Sequence, residues 1–528
     1  MRSVTGSLPG RLLQAFALLV LLLLSSTAAT ARTGGEGRVS ILFTNDLHSE
    51  LEPFAEASAT ALLGGIVRQA EMIAEIRQQT PNTLVVSAGD QVQGTPFFQV
   101  FRGRAEAEAL SLAGYQLVTL GNHELDLGLP ALAETLAIAS YSLICANVFS
   151  AADLRPVFRP YRLVQVASLS IAVLGIIGDD AWNDYGALIR RRLVQLEPRA
   201  VLRPLVDHVR PMVDLVVVLS HSGLDSDKLL ARDVPGIDVI IGAHDHTVMA
   251  TVTEIVSERA EPCSPPTLIV QAGDRGRFLG RLDFIVTADR RRLHSYELLP
   301  VLTPTGDPTR SPHPVSALMA SYSRRLREIM ETPVTQAPQG FFYDRDRRNH
   351  EFLPLGTLTC EAFRAITGAE IGFINSGGIR RGIPAGHVTL RHLFEALPYD
   401  NTVTVVTLTG ADLASLLEQQ CQRRVSDQGG FQTAGVTATF DMSSNTLSNL
   451  LVSGVMVEKR KRYRIATSSY LTTDPLRKGT FGPWLATLED SGIVMRDALG
   501  KYLHEVRVLP SLDTPPIKFL GPVSTGVR

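Results

Sequence analysis

The chain has 528 residues, several times the usual size of one domain, so two or more domains are expected. Hydrophobic residues make up 45% and charged residues 20%, which excludes a disordered, collagenous or repeat-array protein over most of the length. The 51 basic and 53 acidic residues leave a net charge of −2, without the bulk electrostatic footprint of a nucleic-acid binder.

In chain order, the first feature is an apolar run from Leu12 to Leu24, preceded by Arg2 and Arg11 and followed by small residues ending Ala29-Thr30-Ala31. A basic start, a short apolar stretch and an A-x-A site describe a cleaved secretory signal. The run falls short of the ~20 apolar residues usual for a bilayer span, so an uncleaved anchor is the weaker alternative. Residues 1–31 are read as the signal, and the mature chain as starting near Arg32, periplasmic or secreted, with no stable membrane insertion. The C-terminus, ending Gly526-Val527-Arg528, has no apolar tail for a lipid anchor. Cys145, Cys263, Cys360 and Cys421 form no C-x-x-C pair, so a zinc ribbon or thioredoxin motif is absent. One or two disulfides and buried free thiols are both open.

From residue 39 to about 285, short β-branched runs alternate with helical stretches, the mark of α/β layering. Each run leads into polar residues. Val39–Phe43 precedes Thr44-Asn45-Asp46-Leu47-His48. Thr83–Val86 precedes Ser87-Ala88-Gly89-Asp90. Leu117–Leu120 precedes Gly121-Asn122-His123-Glu124-Leu125-Asp126. Leu215–Leu219 precedes Ser220-His221, and Val239–Ile241 precedes Gly242-Ala243-His244-Asp245-His246. Ligands of α/β sheets sit outside the carboxyl ends of the strands. Five of the twelve histidines fall at these ends. Each alone has a bland reading, as a cap, a turn or a surface residue, but five at corresponding positions point to one site.

Carboxylate, imidazole and amide without thiolate suit Zn, Mn, Fe or Co. Asp46 and His48 are expected to alternate along an extended segment and so point the same way, as are His244 and His246. Seven candidates are too many for one tetrahedral ion and fit two divalent ions sharing a carboxylate, for which Asp90 is the natural bridge. Two ions ~3.5–4 Å apart clamp a hydroxide and a phosphoryl oxygen, which is hydrolytic chemistry at phosphorus.

These motifs, with Gly64-Gly65-Ile66, Gln91–Pro96, Ile269–Gly273 and Asn375-Ser376-Gly377-Gly378-Ile379-Arg380, resemble the secreted and periplasmic 5′-nucleotidase family. That family includes UDP-sugar hydrolases and 2′,3′-cyclic phosphodiesterases. The resemblance implies an α/β fold: a metallophosphoesterase β-sandwich flanked by helices (32–305), a linker helix (306–333) and a smaller α+β substrate domain (334–528). It implies one ion held by Asp46, His48, Asp90 and His246, and another by Asp90, Asn122, His221 and His244. His123 is then the imidazole that stabilises phosphoryl charge or assists the leaving group, with Asp126 orienting it. The bland reading of Asp126 is a helix N-cap. The remaining histidines, from His208 to His504, match no motif and are read as surface residues.

Proline-containing sequence at 302–315 interrupts the α/β pattern, and Val315 to Met330 is read as a helix with Leu318, Met319, Tyr322 and Leu326 on one face. In the second domain, Asn375, Gly377 and Arg380 follow a run read as a strand, Ile371–Ile374. The resemblance gives Tyr399 and Tyr470 as an aromatic clamp for a planar base. Three features depart from the family. Both clamp residues are tyrosine where phenylalanine is usual. Thr472–Gly479 replaces a Gly-Gly-Asp-Gly run, leaving Asp474 a displaced candidate. An expected arginine has three nearby matches, Arg345, Arg347 and Arg348. The favoured reading is a metal-dependent phosphoric ester hydrolase acting on AMP-like nucleotides. The alternatives are a cyclic-nucleotide or UDP-sugar hydrolase, a thiosulfohydrolase, or a non-catalytic nucleotide-binding protein. The complete ligand set argues against the last.

Overall fold

A computed structural model of the chain describes residues 37–55, 61–185, 187–261, 264–287, 291–303, 312–337, 339–344, 347–426, 428–472, 480–506 and 515–521. Residues 1–31 (read above as a signal), Cys263, Arg345, Asp474, the C-terminal residues from 522 and most of the 302–315 interruption lie outside them. The chain divides into two compact units, up to Arg324 and from Arg325.

The first unit is built on two six-stranded sheets. In one, strands Gly37–Thr44, Thr83–Ser87, Leu117–Thr119 and Ser142–Ile144 run parallel, and Phe278–Val286 and Arg291–Pro300 add an antiparallel edge. In the other, Leu169–Ile177, Leu215–His221, Val239–Gly242 and Thr267–Val270 are parallel, flanked by antiparallel Tyr161–Val166 and Thr253–Ile255. Val39, Ile41, Phe43, Leu84 and Val86 of the first sheet share one core with Ile171, Val173, Val217, Leu219 and Ile241 of the second. The opposite face of the second sheet is covered by the helix Pro198–Val209, which buries Val201, Leu202, Leu205 and Val206. Central strands buried on both faces explain the near-continuous apolar runs in the sequence.

The helix Pro314–Met330 matches the span read from the sequence. Val315, Met319, Tyr322, Leu326 and Met330 are its buried apolar residues, and Tyr322 meets Phe101 edge-on at 4.7 Å. The second unit holds a five-stranded sheet in the order Phe431–Ala434, Ile371–Asn375, Arg462–Ser468, Thr402–Thr409, Glu489–Val494, and a four-stranded sheet around Val436–Asp441. Helices Pro354–Thr367 and Met495–Glu505 pack over the five-stranded sheet through Leu358, Phe363, Leu499 and Leu503. Cys145, Cys360 and Cys421 are buried free thiols, so no disulfide joins these three. Among the described residues, no helix is long and apolar enough to cross a membrane.

Candidate metal centre

All five predicted strand ends open onto one edge of the sandwich. The loops are locked together by their own backbones: Asp46 N donates to Gly89 O at 3.0 Å, and His48 N donates to Asp90 O at 3.0 Å. The two sheets are joined across the site where His244 N donates to the Asp46 carboxylate at 3.1 Å. Asn45, between strand and ligand, donates to Asp46 Oδ2 at 2.7 Å and accepts from Ala272 N at 2.8 Å, tying in the Ile269–Gly273 segment.

Neither Asp46 and His48 nor His244 and His246 alternate along an extended segment. Strand Gly37–Thr44 ends before Asp46 and His48, and both are left-handed, with φ of 50° and 51°. Asp90 (53°), His244 (87°) and His246 (57°) share that conformation. Five of the seven candidates thus occupy a region that costs non-glycine residues of order 1–3 kcal/mol each and that clusters at functional sites. Tight turns, not the strand pleat, aim these side chains. The same crowding requires glycine beside them: a Cβ on Gly89 would lie 2.7 Å from His221 Nδ1, and one on Gly121 would overlap the Asp90 carboxylate.

The donor atoms converge in two groups. His48 Nε2 lies 3.0 Å from His246 Nε2 and 3.9 Å from Asp90 Oδ2, while His246 Nε2 lies 3.6 Å from Asp46 Oδ1. His221 Nε2 lies 3.3 Å from Asp90 Oδ2 and 3.0 Å from Asn122 Oδ1, which is also 3.0 Å from His244 Nδ1. Asp90 borders both groups, and Asp46 Oδ1 also comes within 3.9 Å of His221 Nε2. Asp46, Asp90 and His221 are essentially inaccessible to solvent.

This donor set fits divalent cations. His221 Nδ1 faces the Ala88 carbonyl at 2.9 Å, which holds a proton on that nitrogen and makes Nε2, directed at the carboxylates, the atom that would give up its proton to a cation. Burial pushes His48 down to about 4 and also lowers His244 and His246, so these imidazoles are neutral, the ligand form. Burial, reinforced by Asp90, pushes the Asp46 carboxyl up to about 7. Burial opposes the charge on His221, but Asp90 and Asp46 outweigh it and push His221 up to about 10. Two buried carboxylates that hold a proton on a neighbouring imidazole make a strongly cation-demanding pocket, and a bound divalent ion answers the same demand.

His123 stands beside these groups, its Nε2 4.0 Å from Asp90 Oδ2 and its Nδ1 2.9 Å from Asp126 Oδ2. Burial opposes its charge, but Asp90 and Asp126 prevail and push it up to about 10. Asp126 is not the N-cap of the following helix, a position that falls on Leu127.

Two carboxylate partners were not legible in the motifs. His244 Nε2 lies 3.5 Å from Asp180 Oδ2, and His246 Nδ1 lies 3.6 Å from Asp274 Oδ2. Both aspartates follow carboxyl ends of parallel strands, so the rule that found the other residues also reaches them. Carboxylates behind ligating histidines fix ring orientation and raise basicity.

In the second unit, Asn375 ends the strand Ile371–Asn375, and Gly377 lies in the 3-10 turn Ser376–Gly378. Arg380 N donates to Ala396 O at 2.8 Å, which brings the turn beside Tyr399. Arg380 Nε donates to the Tyr399 hydroxyl at 3.1 Å, with its guanidinium 5.3 Å from the ring centre. Tyr470 is 63% exposed in its own 3-10 turn. Of the arginines near residue 347, Arg348 faces this turn, donating to Ile379 O at 3.2 Å, whereas Arg347 pairs with Glu351 at 2.8 Å.

Fold and site together are those of a metal-dependent phosphoester hydrolase. The calcineurin-like phosphoesterase profile matches residues 39–248, and the 5′-nucleotidase C-terminal domain matches residues 330–475. The chain is 27% identical over 515 residues to human (Homo sapiens) 5′-nucleotidase, covering 90% of this chain and 88% of that protein. It is 24% identical over 475 residues to protein UshA of Yersinia enterocolitica, covering 82% and 84%. The crystal structure of a 5′-nucleotidase precursor from Thermus thermophilus aligns with a TM-score of 0.62 at 25% identity, over 92% of this chain and 100% of that one. The chain belongs to the two-domain 5′-nucleotidase family of metallophosphoesterases.

Proposed function

We propose that this protein is an exported dimetal phosphohydrolase that removes phosphate from nucleotides, with AMP-like 5′-monophosphates as substrates. The observation that carries this reading is the meeting of seven residues with oxygen or nitrogen donors, Asp90 among them, five of them on left-handed backbone. In this reading, Asp46, His48, Asp90 and His246 hold one ion and Asp90, Asn122, His221 and His244 the other, zinc, manganese or a similar metal. Residues 32–305 form the phosphoesterase domain, 306–333 the linker and 334–528 the substrate domain. The signal-like segment ending at Ala31 supports a periplasmic or secreted location.

When bound, the two ions supply a hydroxide nucleophile and polarise the phosphoryl oxygen. His123, held as imidazolium by Asp90 and Asp126, offers its Nε2 proton to the phosphoryl or leaving-group oxygen as charge develops. Asn375, Gly377 and Arg380 present amide, backbone and guanidinium donors to ribose or phosphate oxygens. Tyr399 and Tyr470 offer aromatic faces for the base, each worth ~1 kcal/mol or more.

The test is phosphate release from AMP, a 2′,3′-cyclic nucleotide and a UDP-sugar, with Mn²⁺ or Zn²⁺ and with chelator. Chelator-sensitive release from AMP is expected. Two bound metals with no turnover of any nucleotide would overturn the substrate assignment.

A further inference from the structure

Glu124, a residue given no part in the chemistry above, is buried, belongs to the loop that carries Asn122 and reaches across to the loop that carries Asp90. Its Oε1 accepts from Gln91 N at 2.7 Å. Its Oε2 accepts from Gly121 N at 2.6 Å and from Asp90 N at 3.3 Å. One carboxylate thus gathers three backbone amides, two from the first loop and one from the second. The link is returned in the opposite direction, because Asp90 Oδ1 accepts from His123 N at 3.0 Å. Each loop's carboxylate therefore holds the other loop's backbone. Behind Glu124 lies a cavity of about 20 Å³ lined by Val118, Phe98, Leu132 and Leu143, room for about one water molecule. For a buried carboxylate such as this, amide-to-carboxylate hydrogen bonds are strong, and an amide left unpaired is costly.

We propose that Glu124 is a positioning residue that fixes the spacing and orientation of Asp90 and Asn122 toward the metal pair by clamping their two loops. The proposal rests on the two-ion reading above. It assigns Glu124 no contact with substrate or metal. Its geometric content is specific: Glu124 reaches the backbone amide of Asp90 itself and that of Gly121, the neighbour of Asn122. Glutamine at this place has the same length, but it lacks the charge and turns an NH₂ group toward amides that are themselves donors, so at least one amide loses its acceptor.

The experiment is Mn²⁺ titration calorimetry on the full chain, on Glu124→Gln and on Leu132→Ala, which loosens the same cavity without touching the amides. Thermal melts confirm folding. Loss of a supporting hydrogen bond of this kind typically weakens metal affinity 10–100-fold. That loss is expected for at least one ion in Glu124→Gln, with Leu132→Ala near the parent affinity and KM at saturating Mn²⁺ unchanged in both. Parent-like affinity in Glu124→Gln overturns the proposal, as does equal weakening in Leu132→Ala, which would make the effect one of packing. If Glu124→Gln does not fold, Glu124→Asp keeps the charge on a shorter arm and is judged by the same criteria. A parent chain that binds no Mn²⁺ would instead refute the two-ion reading.

Discussion

His123 Nδ1 lies 2.9 Å from Asp126 Oδ2, three residues on, while the other face of the ring points toward Asp90, whose Oδ2 is 4.0 Å from Nε2. The ring is therefore held from behind by one carboxylate and presents its second N–H at the edge of the metal pocket. A positioned imidazolium of this kind typically contributes about 10²- to 10⁴-fold to rate. His123→Ala should lower kcat by that amount while leaving bound metal unchanged. Asp126→Asn keeps the shape but loses the charge and should cost less than His123→Ala. Steady-state kinetics with metal analysis of the same samples decide this, and undiminished turnover in His123→Ala would remove the residue from the mechanism.

Metal dependence offers a second check. Dialysis against chelator should abolish phosphate release, and Mn²⁺ should restore it. Because Asp90 borders both donor groups, Asp90→Asn should reduce metal content more than His246→Ala, whose ring is 41% exposed at the rim. Elemental analysis after gel filtration reads the ratio; equal losses would argue against a shared carboxylate.

Glu106, whose carboxyl interacts with Ser49 beside His48, gives a further pH dependence. It lies in the first turn of the helix Arg104–Ala113 and is 1% exposed, and the Ser49 hydroxyl only partly offsets its burial. Burial pushes its carboxyl from 4.5 up to about 7. A raised acid is protonated in the fold at pH values where the unfolded chain has already released its proton. Its contribution to stability is therefore complete below about 4.5 and is lost as pH rises toward 7. The difference is on the order of 3 kcal/mol. Glu106→Gln should raise Tm at about pH 8 and change it little at about pH 4.5. Thermal melts across that range measure it, and a parallel pH profile for both proteins would exclude the effect.

The Arg380–Tyr399 pair predicts a split between affinity and turnover. Tyr399→Ala removes the aromatic face and should raise KM for AMP about fivefold, the equivalent of ~1 kcal/mol, with kcat little changed. Tyr399→Phe keeps the face but removes the hydroxyl that accepts from Arg380, so it should retain most of the affinity. If Tyr399→Ala leaves KM unchanged, the ring does not meet the base.

Much of this protein was legible because its chemistry is local in sequence. Each parallel strand announces itself as a β-branched run, and the residues following it are the ones that reach the sheet edge. That is why Asp46, Asp90, Asn122, His221 and His244 could be named without coordinates, and why Asp180, following a strand whose end was not considered, was overlooked. The helix Pro314–Met330 was legible for a similar reason, since its apolar residues repeat at helical spacing; of the expected face, Met319, Tyr322 and Leu326 are buried and Leu318 is half-buried.

What the sequence alone determined was the set of donor types and their order along the chain. Only the tertiary structure decided how they meet. Asp46 and His48 looked like alternating strand positions, yet both are left-handed, a conformation held in place by backbone bonds to Gly89 and Asp90 in a distant loop. The choice of Arg348 over Arg347 as the neighbour of the glycine turn, and the reciprocal hold between Glu124 and Asp90, likewise depend on contacts between segments distant in sequence. Periodicity reports which way a regular element faces. It carries no information on turns whose strain is sustained by partners elsewhere in the fold.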